Sequence, residues 1–199
     1  TICERRFGVG GDGLILLRNH NHYDFEMIFF NSTGERSTFC GNGGRCILSF
    51  ANDLGIINKK SNFIAYDGPH EGEIHGNDVK LKMSDVKEIT LIKKNVILDT
   101  GSPHLVKFVK NIKTIDVLQK GRELRFDKEF GEYGINVNFV EIGNCISIRT
   151  YERGDEMESL SCGTGSVATA IALYSTGKSN DKNIIVHTSG GKLRVSFDY

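Results

Sequence analysis

Two stretches of this chain carry the same signature: a short loop, the tetrapeptide Cys-Gly-x-Gly, then apolar residues at helical spacing. The first is Cys40-Gly41-Asn42-Gly43, followed by Ile47, Phe50, Ala51 and Leu54. The second is Cys162-Gly163-Thr164-Gly165, followed by Val167, Ala170, Ile171 and Tyr174. In both, the apolar residues fall at i, i+3, i+4 and i+7 and so share one helix face. Gly55 and Gly177 supply stop signals. Ala168, Ala172 and Leu173 make the second helix apolar almost all round, which places it inside the protein, enclosed by other elements. Each copy follows a strand-like stretch, and no other cysteine has this context. The expectation is two similar domains, each with several strands around one central helix.

Half-buried strands are expected where polar and apolar residues alternate with period two, from Asp24 to Phe30, Val79 to Met83, Ile146 to Tyr151 and Lys192 to Phe197. Shorter apolar runs at Leu14 to Leu17, Val96 to Leu98, Leu105 to Val109 and Asn138 to Ile142 read as strands too. A third, weaker helix covers Asp116 to Lys120. With 23 glycines and only 2 prolines, turns depend on glycine and asparagine. The domain junction is expected near Met83 to Lys87, dividing the chain into residues 1–83 and 84–199. Nothing rich in proline or serine marks it, so a short, close-packed connection is expected.

Composition narrows the function classes. Lysine plus arginine and aspartate plus glutamate both number 25, so no field of one sign exists to collect nucleic acid or an anionic membrane. No apolar run approaches the ~20 residues of a membrane-spanning helix. Five cysteines cannot all pair within one chain, which fits a reducing, cytoplasmic setting, with Cys3, Cys46 and Cys145 read as structural. The chain starts inside the charged segment Cys3-Glu4-Arg5-Arg6-Phe7 without an initiator methionine, and ends just after a strand-like run. It is therefore read as a piece of a longer protein.

The paired cysteines carry the chemistry. A cysteine at a helix N-terminus sits where the dipole is positive and backbone N–H groups lack intrahelical acceptors, an environment expected to lower the thiol pKa. The glycines after it let a substrate approach the backbone, and the N–H groups there can hold a carboxylate. Two such ends acting on one carboxylate would put a thiol on each side of its α-carbon, an arrangement for two-base proton transfer. Zinc fits less well, because five residues separate Cys40 from Cys46, against the two to four of zinc knuckles. Gly8-Val9-Gly10-Gly11-Asp12-Gly13 satisfies the dinucleotide fingerprint, yet a strand-like run follows it where a helix is required, so a tight glycine turn is expected. Gly101-Ser102-Pro103-His104 reads alone as a turn histidine, and Tyr151-Glu152-Arg153-Gly154 as a solvated strand end. Asn31 and Asn136 read equally as turn formers.

Taken together and in order, these motifs resemble the diaminopimelate epimerase family. The resemblance runs through Phe7 to Leu14, Phe30-Asn31, Cys40 to Cys46, Gly101 to His104, Asn136 to Phe139, Tyr151 to Gly154 and Cys162 to Gly165. It implies an α/β fold of two pseudo-symmetric domains, each a mainly antiparallel sheet wrapped around a central helix, with the active site between them. It implies interconversion of LL- and meso-diaminopimelate without pyridoxal phosphate or metal, for lysine and peptidoglycan synthesis. Cys40 and Cys162 become the two bases, with His104 and Glu152 beside the reacting centre. Gly41, Asn42, Gly43, Gly163 and Thr164 would hold the reacting carboxylate, and Asn31, Asn136 and Arg153 the distal end of the substrate. Ser102 stands where the family commonly has a substrate-contacting asparagine. The family also has an upstream Gly-x-Gly-Asn-Asp-Phe segment, and further strands beyond the position of Tyr199. The expected partner is the small-molecule substrate; a homodimer is compatible with the resemblance. The nearest alternatives are a related two-cysteine racemase of the proline racemase kind and a non-catalytic thiol or zinc protein.

Overall fold

The computed structural model describes residues 2–36, 39–131 and 133–199. The chain forms two compact units, Thr1–Met83 and Ser84–Tyr199. In the first, a five-stranded sheet has the order β1 (Gly13–Arg18), β2 (Glu26–Asn31), β3 (Lys60–Ala65), β4 (Gly68–His75), β5 (Asp78–Leu81). All pairs are antiparallel except β2 with β3, and the helix α1 (Gly41–Asp53) forms that parallel crossover. The core joins Phe25, Met27, Phe63 and Ile74 of the sheet side to Ile47, Leu48 and Ala51 of α1. Gly72 lets the helix close on β4, since a Cβ there would meet Leu48 Cδ1 at 2.2 Å.

The second unit has one eight-stranded sheet. Its strands are β6 (Ile89–Ile92), β7 (Asn95–Asp99), β8 (Pro103–Val109), β9 (Asn136–Ile142), β10 (Ile146–Glu152), β11 (Met157–Ser159), β12 (Asn183–Thr188) and β13 (Gly191–Ser196). The order is β13-β12-β10-β9-β8-β7-β6, with β11 paired to β10; only β8 with β9 and β10 with β12 run parallel. Helix α2 (Val117–Arg125) covers one face. Helix α3 (Gly163–Ser175) packs against β7, β8, β9, β10, β12 and β13 on the other. Sheet parity sorts the residues. Leu105, Val137, Phe139 and Tyr151 face the α2 core, while Val106, Val140 and Ile148 face the α3 core.

The fold is thus two α/β units of mainly antiparallel sheet, each around a central helix. The two central helices are built alike. Each is 13 residues long, starts from a cysteine in extended conformation (Cys40 φ −111°, ψ 119°; Cys162 φ −117°, ψ 115°), and ends at a glycine with positive φ. Both ends are Schellman closures. Ile56 N–H donates to Ala51 O and Gly55 N–H to Asn52 O, as Lys178 N–H does to Leu173 O and Gly177 N–H to Tyr174 O.

Several expectations needed adjusting. On α1 the buried stripe is Gly44, Ile47, Leu48 and Ala51, while Phe50 and Leu54 are 54% and 55% exposed. The helix begins earlier than its apolar residues suggest, and glycine supplies the first position of the stripe. The weak helix extends to Arg125, and Asp116 caps it by accepting from Gln119 N–H at 2.9 Å. β3, β4, β6, β11 and β12 were not anticipated; β4, with Pro69, Gly72 and alternating charges, carries little strand signal of its own. Cys46 and Cys145 are exposed, so burial does not account for them as structural cysteines. The Gly8 to Gly13 segment is a set of turns, in which Gly8, Val9, Gly10 and Gly11 N–H groups donate to the carbonyls of Glu4, Ile2 and Cys3 and the strand β1 follows. Among the described residues no helix is long and apolar enough to cross a membrane.

Gly121 fixes the seat of α2, because a Cβ there would lie 2.4 Å from Cβ of the fully buried Tyr151. Alanine gains ~1 kcal/mol of helix propensity, but overpacking costs 1–3 kcal/mol and Tyr151 Cβ cannot swing aside. With the clash on a Cβ that cannot move, the cost falls at the upper end and Gly121→Ala should lose up to roughly 2 kcal/mol in urea denaturation, with the sign opposite to that expected from propensity.

Candidate active site

In the first unit, β2 and α1 deliver the residues of interest. Cys40 caps α1 with no side-chain hydrogen bond to the helix, leaving its thiol uncommitted to capping. The first intrahelical bond runs from Gly44 N–H to Cys40 O at 2.8 Å, so the N–H groups of Gly41 and Gly43 have no acceptor within the helix. Side chains are excluded from this turn: a Cβ on Gly43 would meet Ile15 Cδ1 at 2.8 Å, and one on Gly44 would meet Phe39 Cζ at 2.5 Å. Asn42 Oδ1 accepts from Arg45 Nη2. Asn31 behaves as a turn former. Its Oδ1 accepts from Thr33 Oγ1 at 2.7 Å and from Glu35 N–H at 2.9 Å.

In the second unit, parity gathers the polar residues. His104 on β8, Asn136 and Asn138 on β9, and Thr150 and Glu152 on β10 continue the same rows as Val106, Val140 and Ile148, and so lie on the α3 face. Their register places His104 opposite Asn136, and Thr150 opposite Asn138. Asn136, 5% exposed, acts as a staple. Its Nδ2 donates to Ser102 Oγ at 2.7 Å and Pro103 O at 2.9 Å, and its Oδ1 accepts from Arg153 N–H at 2.9 Å. Ser102, His104, Asn136 and Arg153 are thereby held together. Thr100 Oγ1 donates to Thr164 O at 3.0 Å, tying the same loop to the first turn of α3. The Arg153 guanidinium forms no ion pair among the described residues, and its charge acts on His104.

Cys162, 8% exposed, caps α3. Its sulfur accepts from Gly165 N–H at 3.4 Å and lies 3.4 Å from Thr164 Oγ1. The Glu152 carboxylate is near enough for its charge to act on this thiol. The expected depression of the thiol pKa does not occur here. Burial and then the negative charge of Glu152 push the Cys162 thiol up to about 12, against the pull of Thr164 and Gly165. Burial also raises the Glu152 carboxyl, and the neighbouring Ser159 and Cys162 side chains oppose that rise. In this low-dielectric pair the proton rests on sulfur and the carboxylate beside it is made more basic. His104 is fully buried; burial and the Arg153 charge bring it down to about 3, so it is neutral at neutral pH.

Sequence reasoning missed Asn138 and Thr150, two fully or nearly fully buried polar residues on the α3 face. It also missed Glu156, whose carboxylate accepts from Arg125 Nε, Gly154 N–H and Tyr151 OH, each at 3.1 Å, beneath the turn carrying Arg153. The available signal was parity, since Asn138 and Thr150 interrupt apolar rows. Among the described residues no group of three or more His, Cys, Asp and Glu side chains converges as a metal site would require.

Comparison with known proteins places these features in context. The family model described as diaminopimelate epimerase matches residues 1–89 and 96–198. A diaminopimelate epimerase from Flavobacterium psychrophilum is 50% identical over 99% of this chain and 78% of its own length. A phenazine biosynthesis protein of the PhzF family from Bacillus anthracis shares the fold with a TM-score of 0.73 at 16% identity, covering 94% of this chain and 76% of that one. A probable proline racemase from Agrobacterium radiobacter does so with a TM-score of 0.67 at 17% identity, covering 95% and 69%.

The depressed histidine has a measurable consequence for stability. Between its ordinary value of 6.5 and its folded value of about 3, the native state holds fewer protons on His104 than the unfolded chain. Its contribution is therefore complete above pH 6.5 and is lost as pH falls toward 3, at about 1.36 kcal/mol per unit. His104→Gln should flatten the acid limb of stability relative to wild type in that window, as read by urea midpoints at stepped pH. The carboxylates contribute equally to both proteins, so the difference isolates the histidine.

Proposed function

Because the chain belongs to the diaminopimelate epimerase family, we propose that it interconverts LL- and meso-diaminopimelate by proton transfer between two cysteines, without metal or pyridoxal phosphate, in lysine and peptidoglycan synthesis. The observation that carries this reading is the matched capping. Cys40 and Cys162 occupy the same position, with nearly the same dihedral angles, at the start of the central helix of each unit.

The chemistry follows from what those helix ends offer. The α-hydrogen of an amino acid is weakly acidic, and its removal spreads charge onto the carboxylate. The N–H groups of Gly41, Asn42 and Gly43, and those of Gly163 and Thr164, would hold that carboxylate and meet the charge as it develops. In one direction Cys40 takes the α-hydrogen and Cys162 delivers the proton it already holds. The C–H electron pair passes onto the α-carbon and then into the new C–H bond on the opposite face, so both atoms and charge balance. For the next turnover Cys162 must regain its proton and Cys40 lose one. In the reverse direction Cys162 must first be deprotonated, and Glu152, with its raised carboxyl, is the acceptor at hand. The Arg153 guanidinium suits the distal carboxylate, which a planar fork can grip with two hydrogen bonds. Asn31 and Asn136 contribute by shaping the backbone around it, since most of their hydrogen-bonding capacity is spent internally.

Two outcomes test the reading. In D₂O, product formed in the first few per cent of conversion should carry deuterium at the α-carbon while unreacted substrate stays protonated, as mass spectrometry would show. Cys40→Ser and Cys162→Ser should each lower turnover by roughly 10²-fold or more, serine being a far weaker base. Substantial protonated product, or near-normal turnover in either variant, would overturn the two-thiol assignment. Arg153→Lys keeps the charge and loses the fork; it should raise KM for diaminopimelate by about tenfold, which corresponds to ~1.4 kcal/mol. An unchanged KM would remove Arg153 from the distal site.

A further inference from the structure

Asn138 is a fully buried polar residue that takes no part in the proton transfer proposed above. Asn138 is 0% exposed in the middle of the sheet face that meets α3, and all three of its amide hydrogen bonds are internal. Its Nδ2 lies 3.0 Å from Leu105 O and 3.0 Å from His104 Nδ1, and its Oδ1 accepts from Thr150 Oγ1 at 2.9 Å. The orientation of the amide is decided by Leu105. A backbone carbonyl only accepts, so the amide atom facing it must be the NH₂ group. The second N–H of that group points to His104 Nδ1, which must then be the acceptor. A neutral imidazole with an accepting Nδ1 carries its proton on Nε2. Were the amide oxygen the atom facing the ring, Nδ1 would have to carry a proton, in the Nδ1–H tautomer or the imidazolium; the Leu105 carbonyl rules that out.

Two further features agree. His104 Nε2 is buried with no hydrogen-bond partner among the described residues. An orphaned buried N–H is costly, by about 1–3 kcal/mol, and rare unless a ligand is to receive it. Asn138 also reaches the helix end that bears Cys162. A Cβ on Gly165 would lie 2.4 Å from Asn138 Oδ1, so glycine is what allows the first turn of α3 to sit over the amide.

We propose that Asn138 is a positioning residue that locks His104 in the neutral Nε2–H tautomer, so that the bound amino acid meets a hydrogen-bond donor there and never an acceptor. This rests on the reading that His104 stands beside the reacting centre. A donor stabilises charge developing on the reacting carboxylate, whereas an imidazole lone pair would oppose it. The burial of His104 and the charge of Arg153 disfavour the imidazolium and keep the ring neutral.

The tautomer can be read without any activity assay. In the whole chain with ¹⁵N-labelled histidine, long-range ¹H–¹⁵N correlation distinguishes protonated from bare ring nitrogens, and His104→Gln identifies the resonance among the 6 histidines. From mildly acidic to mildly alkaline pH, His104 should show a protonated Nε2 and a bare Nδ1. A proton on Nδ1, or an imidazolium at neutral pH, overturns the proposal. Asn138→Asp is nearly isosteric and presents only acceptors, so it should move the proton to Nδ1 and lower kcat on the order of 10²-fold, with KM changed about twofold at most. Asn138→Ala, which leaves no acceptor to clash with Leu105 O, should give a tautomer mixture and a smaller fall, about tenfold. A variant that folds, shifts the tautomer and keeps its kcat would show that the tautomer has no part in turnover, and so defeat the proposal. Failure of the epimerase reading is distinguishable: it would appear as retained turnover in Cys162→Ser, with the wild-type tautomer as predicted.

Discussion

The burial of α3 is the constraint on which the second unit depends. A helix enclosed by six strands cannot leave its terminal N–H and C=O groups to water, so each end must be closed by the chain itself. The far end is closed by Gly177, whose positive φ lets the next residues turn back onto the last carbonyls. The near end is closed only in part. Cys162 sulfur takes the Gly165 N–H, and Ser166, through both its backbone N–H and its hydroxyl, donates to Cys162 O. What is left is a helix N-terminus in a poorly screened setting, where partial positive charge acts with more force than it would at the surface.

The sheet beneath responds in kind. Period-two alternation would ordinarily fill the α3 face with apolar side chains, and over Val106, Val140 and Ile148 it does. Toward the N-terminal end of α3 the same rows change to His104, Asn138, Thr150 and Glu152. Burying such groups is tolerable only because they satisfy one another. Thr150 donates to Asn138, which donates in turn to His104 and Leu105. The exceptions, such as His104 Nε2, stand out against this background.

Burial also reverses a simple expectation about the thiols. Helix position alone predicts a depressed pKa for a capping cysteine, and that argument holds where solvent can reach the charge. At Cys162 the loss of hydration and the adjacent carboxylate outweigh the helix, and the proton stays on sulfur. Glu152 is raised by the same loss of hydration. The coupling runs one way: the Glu152 charge pushes the thiol up, while the thiol beside the carboxylate opposes the rise that burial imposes on Glu152.

Much of the architecture was written in local pattern. The paired Cys-Gly-x-Gly motifs, the helical spacing after them and the stopping glycines determined both central helices, because capping and helix termination are properties of a few adjacent residues. In the second sheet, alternation marked β10 and β13 and short apolar runs marked β7, β8 and β9. Tertiary structure decided what depends on neighbours distant in sequence. β4, with its proline, glycines and charges, is a strand only because β3 and β5 pair with it on either side. Phe50 and Leu54 share a helix face with Ile47 and Ala51 in the pattern, yet lie outside because the sheet meets α1 along the row that begins at Gly44. The roles of Asn136 and Asn138 were likewise invisible, since an asparagine is a turn former, a ligand or a staple according to what stands opposite it. The protonation of Cys162 belongs to the same class: the sequence by itself placed the thiol on a helix end, and the fold, by removing the water around it, decided that it keeps its proton.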